Sequence, residues 1–134
     1  MKIISLNANG LRSATSKGLV PWLVEQDADV ICLQEIRIQD HQVPLEIQAL
    51  TQYEQYYQPA QKKGYSGVGI LTKHKPIHIQ YGLEGPDPEG RYLAIDLGSV
   101  VIGSLYLPSG SSGPERQAHK FAFMQQLLPI FEKM

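Results

Sequence analysis

The sequence contains a single cysteine, Cys32, so no disulfide can close within the 134 residues. Cys32 stands in an apolar run, where a lone thiol is a small core residue of a reducing compartment. An excess of charge is also lacking. Twelve Lys and Arg against 13 Asp and Glu leave a net charge of -1, which excludes a protein-wide basic field as the means of holding a polyanion. A phosphate-bearing ligand would need a local arrangement of cations. No apolar run approaches the ~18 residues of a membrane span. The start, MKIISLNANG, has neither an apolar h-region nor a small-residue cleavage site. A soluble cytoplasmic protein with no membrane partner is expected. Phosphate loops of the P-loop type are missing too: SGVGIL and SGSSG lack the Lys and the helix such loops need. There is no internal repeat, linker or low-complexity stretch. The chain reads as one compact unit, or part of one, long enough for a real core.

The apolar pattern predicts an α/β (α+β) protein. Ile3, Ile4 and Leu6 form a short strand that stops at the Asn/Gly turn NANG. Leu19, Trp22, Leu23 and Gln26 fall at helical spacing, with Gly18 as a cap and Pro21 in the first turn. A start nearer Thr15 would instead put a kink at Pro21. DADVICLQE is a buried strand, so residues 2–35 read as strand, helix, strand. VPLEIQAL is a short helix after Pro44. From residue 53 onward, YEQYYQP, SGVGILTK, PIHIQYG, RYLAIDLG and SVVIGSLYLP are short and rich in β-branched and aromatic residues. They predict one mixed, largely antiparallel sheet with flanking helices. A last helix starts at Pro114, with Ala118, Phe121, Leu128 and Phe131 on one face.

Three strands end in polar residues that packing does not require. The first ends at Asn7 and Asn9, the second at Gln34 and Glu35, and GSLYLPSG carries Tyr106 ahead of a Pro/Ser/Gly loop. Ligands bind at the carboxyl ends of strands in α/β proteins. A carboxylate fixed on a strand and partnered by amides suits a hard cation such as Mg²⁺. Taken singly, a Glu at a strand end also fits a solvated rim, and Asn before Gly fits ordinary turn chemistry. His41, His74, His78 and His119 build no site: Pro76 between His74 and His78 rules out a metal-binding helix, and all four are expected at the surface. Arg12, Lys17, Lys62, Lys63 and Arg91 are loop cations. Each could be merely solubilising; together, with Tyr65 beside a Gly, they could follow a phosphate backbone.

Together, SLNANGLRS, KGLVPWL, DVICLQEIR, GYSGVGILTK, EGRYLAIDLG and LYLPSG resemble, in order and spacing, the exonuclease III family of abasic-site DNA endonucleases, within the endonuclease/exonuclease/phosphatase superfamily. The resemblance runs over the whole chain. It implies Glu35 and Asn7 at a metal site, Arg37 as a partner that orients the carboxylate, and Tyr106 as the active-site tyrosine near the scissile phosphate. It implies that Arg12, Ser13, Lys17, Gly64, Tyr65, Ser66 and Arg91 contact DNA. The cofactor would be Mg²⁺, with Mn²⁺ as a substitute. The partner would be double-stranded DNA bearing abasic sites or 3′ ends, which would associate the protein with the nucleoid. The reaction would be hydrolysis of the phosphodiester 5′ to an abasic site, with 3′→5′ exonuclease and 3′-end cleaning.

The resemblance also implies more than residues 1–134 contain. The family's Gly-Asp-x-Asn and Ser-Asp-His motifs are absent from them, and Ser109 replaces the usual Asn or Gln after Pro. The family domain is a four-layer α/β/β/α sandwich of roughly twice this length. The chain is therefore expected to be its amino-terminal half, with one sheet, an exposed apolar sheet face inviting self-association, and no cleavage activity alone. Two alternatives stand beside this: a non-catalytic DNA- or protein-binding fragment, and another superfamily phosphatase. GYSGVGIL and EGRYL, which resemble the DNA-cleaving branch, weigh against the phosphatase.

Overall fold

The computed structural model of the chain describes residues 1–83 and 85–107, with Ala118 and Gln125. Among these, seven strands and three α-helices follow one another: β1 (Ile3–Asn7), α1 (Leu11–Ser16), α2 (Leu19–Gln26), β2 (Val30–Gln34), α3 (Leu45–Gln48), β3 (Glu54–Gln58), β4 (Val68–Thr72), β5 (His78–Tyr81), β6 (Tyr92–Asp96) and β7 (Val101–Leu105). Every strand expected from the sequence is present. No helix among the described residues is long and apolar enough to cross a membrane. The helix expected from Pro114 lies outside the described residues except for Ala118 and Gln125, both helical and exposed.

α2 begins as its sequence dictates. Gly18 precedes it at φ 97°, Leu19 and Leu23 turn inward four residues apart, and Pro21 sits in the first turn, where no helical acceptor awaits its missing N–H. Trp22, which shares the helical spacing, is 42% exposed. α1 has no counterpart in the sequence reading. It buries only Leu11 and Thr15, too short a stripe to register as a period, and Thr15 Oγ1 donates to the Leu11 carbonyl at 2.7 Å.

The expectation of a single sheet is corrected by the topology, within the expected class. β1-β2-β4-β3 form a mixed four-stranded sheet, and β5-β6-β7 form a separate antiparallel one. The reason lies in residues 73–77. Pro76 cannot donate to a ladder, Lys73 N–H is tied to the Asp29 carbonyl at 2.9 Å, and Ile77 N–H bonds the Asp96 carbonyl at 2.8 Å, so the chain leaves β4 and starts again beside β6. The second sheet lies across the first: Val30, Cys32, Val68 and Ile70 pack with Leu93, Ile95 and Ile102. That contact covers the apolar sheet face expected to be exposed. The opposite face of the first sheet, with Ile31, Leu33 and Leu71, packs with Leu11, Leu19, Leu23, Ile47 and Leu50. β2 is thus buried on both faces, which is why VICL reads as a continuous apolar run.

Candidate active site

β1 and β2 are parallel neighbours in register, Asn7 beside Gln34, so Asn7 and Glu35 leave the same edge side by side. Beyond the strands the backbone keeps pairing. Ala8, Gly10 and Leu11 N–H groups bond the carbonyls of Gln34, Glu35 and Ile36, each at 2.8 Å. The amide of Ile36 bonds the Gly67 carbonyl at 3.2 Å and that of Arg37 the Ser66 carbonyl at 2.8 Å. Residues 35–37 are therefore clamped between the turn after β1 and the loop before β4. A Cβ on Gly67 would stand 2.7 Å from Ile36 Cγ1, so Ile36 can be fully buried there only against a glycine, itself at φ 87°.

The clamp holds backbone in costly conformations. Glu35, Arg37, Asn9 and Ser66 have φ of 51°, 56°, 48° and 49°, and only Asp27, at the end of α2, shares this property among described non-glycine residues. Such backbone costs on the order of 1–3 kcal/mol per residue and gathers where function over-determines structure.

Glu35 is the centre of the site. Its side chain is 17% exposed. Burial favours the neutral acid, but hydrogen bonds from Tyr106, Arg37 and Asn7 and the charge of Arg37 outweigh it, and the carboxyl stays below its usual range. Arg37 Nη2 lies 3.1 Å from Glu35 Oε1. Asn7 Oδ1 accepts the Asn9 N–H at 2.9 Å, so the turn fixes the amide. Tyr106 arrives from the second sheet, just past β7. Burial first, then its bond to Glu35, pushes the phenol up, so it remains a proton donor at neutral pH.

Amide and carboxylate oxygens from Asn7 and Glu35 are the donor types a hard divalent cation takes, so the residues fit part of such a site. No cluster of three or more His, Cys, Asp or Glu that could hold a metal occurs among the described residues.

Around this centre lie the other residues singled out by sequence. Arg12 and Ser13 are exposed on α1, and Lys17 ends it. Ser13 and Lys17 line an open cleft of about 480 Å³ with Asn7, Asn9 and Trp22. Gly64 is exposed and Tyr65 half-buried, while Ser66 is 3% exposed with no partner for its hydroxyl among the described residues. Arg91 does not face solvent at all. It is 2% exposed, with Nη2 2.6 Å from Glu89 Oε2 and 3.0 Å from Tyr65 Oη. His41, His74 and His78 are exposed and stand apart from the site; His119 lies outside the described residues, as does Ser109.

Sequence reasoning missed Ser104 and Asp87. Ser104 Oγ donates to the Leu33 carbonyl at 2.8 Å and accepts from Gln34 Nε2 at 3.0 Å, stitching β7 to β2 just behind Tyr106 and Glu35. A serine at an inward position of an apolar strand was the available signal. Asp87 Oδ2 accepts the amides of Arg91 and Tyr92 at 2.8 and 3.0 Å, fixing the turn that delivers Arg91.

The model of the Endonuclease/Exonuclease/phosphatase family matches residues 4–133. The exodeoxyribonuclease of Bacillus subtilis is 40% identical over 131 residues, which cover 96% of this chain and 51% of that protein. DNA repair nuclease APEX1 of Danio rerio is 34% identical over 117 residues, 84% of this chain and 38% of its own. An AP endonuclease from Archaeoglobus fulgidus superposes over the whole chain with a TM-score of 0.85 at 25% identity, and 52% of its length is covered. The chain spans about half the length of these relatives, or less.

Proposed function

The chain belongs to the Endonuclease/Exonuclease/phosphatase family, and on that premise we propose that it forms the amino-terminal half of an exodeoxyribonuclease III-like DNA-repair nuclease. The single observation that carries this reading is the carboxylate of Glu35, held ionised on a strained strand end by donors from three places: Asn7 at the end of β1, Arg37 after β2 and Tyr106 after β7. A solvated rim residue would need none of that. Relatives named as an exodeoxyribonuclease and a DNA repair nuclease support nuclease action on DNA; the reaction we propose is hydrolysis of the phosphodiester 5′ to an abasic site, with removal of nucleotides or blocking groups from 3′ ends.

The residues divide the work. Asn7 and Glu35 would hold a divalent ion, with Mg²⁺ the natural candidate because it takes oxygen donors and keeps several waters. When bound, the ion supplies Lewis-acid stabilisation of charge on phosphoryl oxygens. Arg37 orients the Glu35 carboxylate. The protonated Tyr106 hydroxyl, which donates to Glu35 in the free chain, would turn its single O–H toward the scissile phosphate once DNA is bound. Arg12, Ser13 and Lys17, exposed beside the cleft, grip the DNA backbone, and Gly64 and Tyr65 continue the track. An abasic nucleotide leaves the duplex cheaply because no base pair has to be broken.

Residues 1–134 hold half of this machinery, and alone they bind duplex without cutting it. The test is incision of an abasic duplex in Mg²⁺, run beside phosphate release from inositol phosphates, for the chain and Glu35→Gln. Neither product is expected. Mg²⁺-dependent incision lost in Glu35→Gln would show that the chain is a complete nuclease, and phosphate release lost in that variant would favour the phosphatase reading.

A further inference from the structure

Arg91 is a buried cation that joins two acids of its own turn to the two tyrosines of the proposed site. Asp87 accepts its amide, and Glu89 neutralises it through Nε at 3.1 Å and Nη2 at 2.6 Å. From that anchored position the guanidinium reaches two ways. Nη2 donates to Tyr65 Oη at 3.0 Å, and the group lies 5.8 Å from the centre of the Tyr65 ring. On the other side it lies 5.0 Å from the centre of the Tyr106 ring, and Nη1 points at the Tyr106 carbonyl, 3.4 Å away. The backbone adds a third tie, Tyr106 N–H to the Arg91 carbonyl at 2.9 Å.

We propose that Arg91 is a positioning residue: it sets Tyr106 at the Glu35 site and Tyr65 on the loop before β4 in one fixed arrangement, and it does not touch the DNA backbone. Its role rests on the nuclease reading for its consequence, not for its geometry. A residue 2% exposed, with its charge already matched by Glu89, has no free face for a phosphate. Its planar fork can bond Glu89 and Tyr65 at once while stacking on Tyr106, which a lysine ammonium cannot do. Lys62 also lies over the Tyr65 ring, 5.3 Å from its centre, so the tyrosine fixed by Arg91 stands where an exposed cation can share a phosphate with it.

The first arm of the test needs no DNA. The chain is labelled with 3-fluorotyrosine, and the ¹⁹F resonances of its seven tyrosines are assigned by Tyr→Phe substitution. Arg91→Lys is expected to shift Tyr65 and Tyr106 while Tyr53, Tyr56, Tyr57 and Tyr81 stay in place, the last four serving as the check that the fold survives. Unmoved Tyr65 and Tyr106 resonances would overturn the proposal. The second arm is binding to an abasic duplex as a function of salt. Arg91→Met is expected to weaken binding about tenfold, the size of one lost charge-assisted hydrogen bond, without changing the slope of log K against log salt. Tyr65→Phe combined with it should add little. A slope reduced by about 0.9, the signature of one lost phosphate contact, would make Arg91 a direct DNA contact and overturn the proposal. A wild-type chain that binds no duplex would sink the nuclease reading, and the ¹⁹F arm would still decide Arg91.

Discussion

At the scale of single residues, the fold spends strain and hydrogen bonds on a few side chains and leaves others plain. Glu35 was legible as a carboxylate at a strand end. Asn7, Arg37 and Tyr106 came as its companions only through the resemblance; that Tyr106 reaches the carboxylate could not be read from the residues, because it arrives from a second sheet. Arg91 shows the same limit more sharply. A loop arginine after PEG reads as exposed, whereas the acids two and four positions before it turn it inward. Two predictions belong here. Burial pushes the Cys32 thiol up to about 11, so at pH 8 it should resist alkylation in the folded chain and react fully in urea; equal rates would contradict its burial between the sheets. Far from the site, the Lys2 N–H and His74 hold the Asp29 carboxyl below its usual 3.8. A depressed acid stabilises the fold above its unfolded pKa, and that contribution fades as pH falls through the folded value. Urea midpoints between pH 6 and pH 2 should therefore drop less steeply for Asp29→Asn than for the wild type.

At the scale of elements, the strands were readable because β-branched and aromatic runs bounded by Gly and Pro leave little choice. α1 was not, since two inward residues make no periodic signal. Which strands pair was also hidden: local pattern gives a strand's faces but not its neighbours, so β5, β6 and β7 could not be assigned to a second sheet. The stitch between sheets gives the element-scale prediction. Ser104→Ala removes the donor to the Leu33 carbonyl and an acceptor of Gln34. Chemical denaturation should show a loss of about 1–3 kcal/mol, the cost of a buried group left unpaired. A loss below about 0.5 kcal/mol, the noise of ordinary surface substitutions, would mean the sheets need no polar tie at this point.

At the scale of the whole molecule, the second sheet covers the first where an open apolar face was expected, so residues 1–107 build a layered core in which helices, first sheet and second sheet depend on one another. The two sheets bring Glu35 and Tyr106 together, while α1 and the loop before β4 set exposed cations around them. Residues 1–134 lack the Gly-Asp-x-Asn and Ser-Asp-His motifs, so on the proposed reading this arrangement is half of a nuclease site. The most direct test is the salt dependence of binding to an abasic duplex, measured for the wild type and for Arg12→Ala/Lys17→Ala. The account predicts measurable binding whose log K–log salt slope is shallower by about 1.8 in the double variant, two phosphate contacts at about 0.9 each. An unchanged slope, or no binding by the wild type, would contradict the placing of a DNA track beside Glu35.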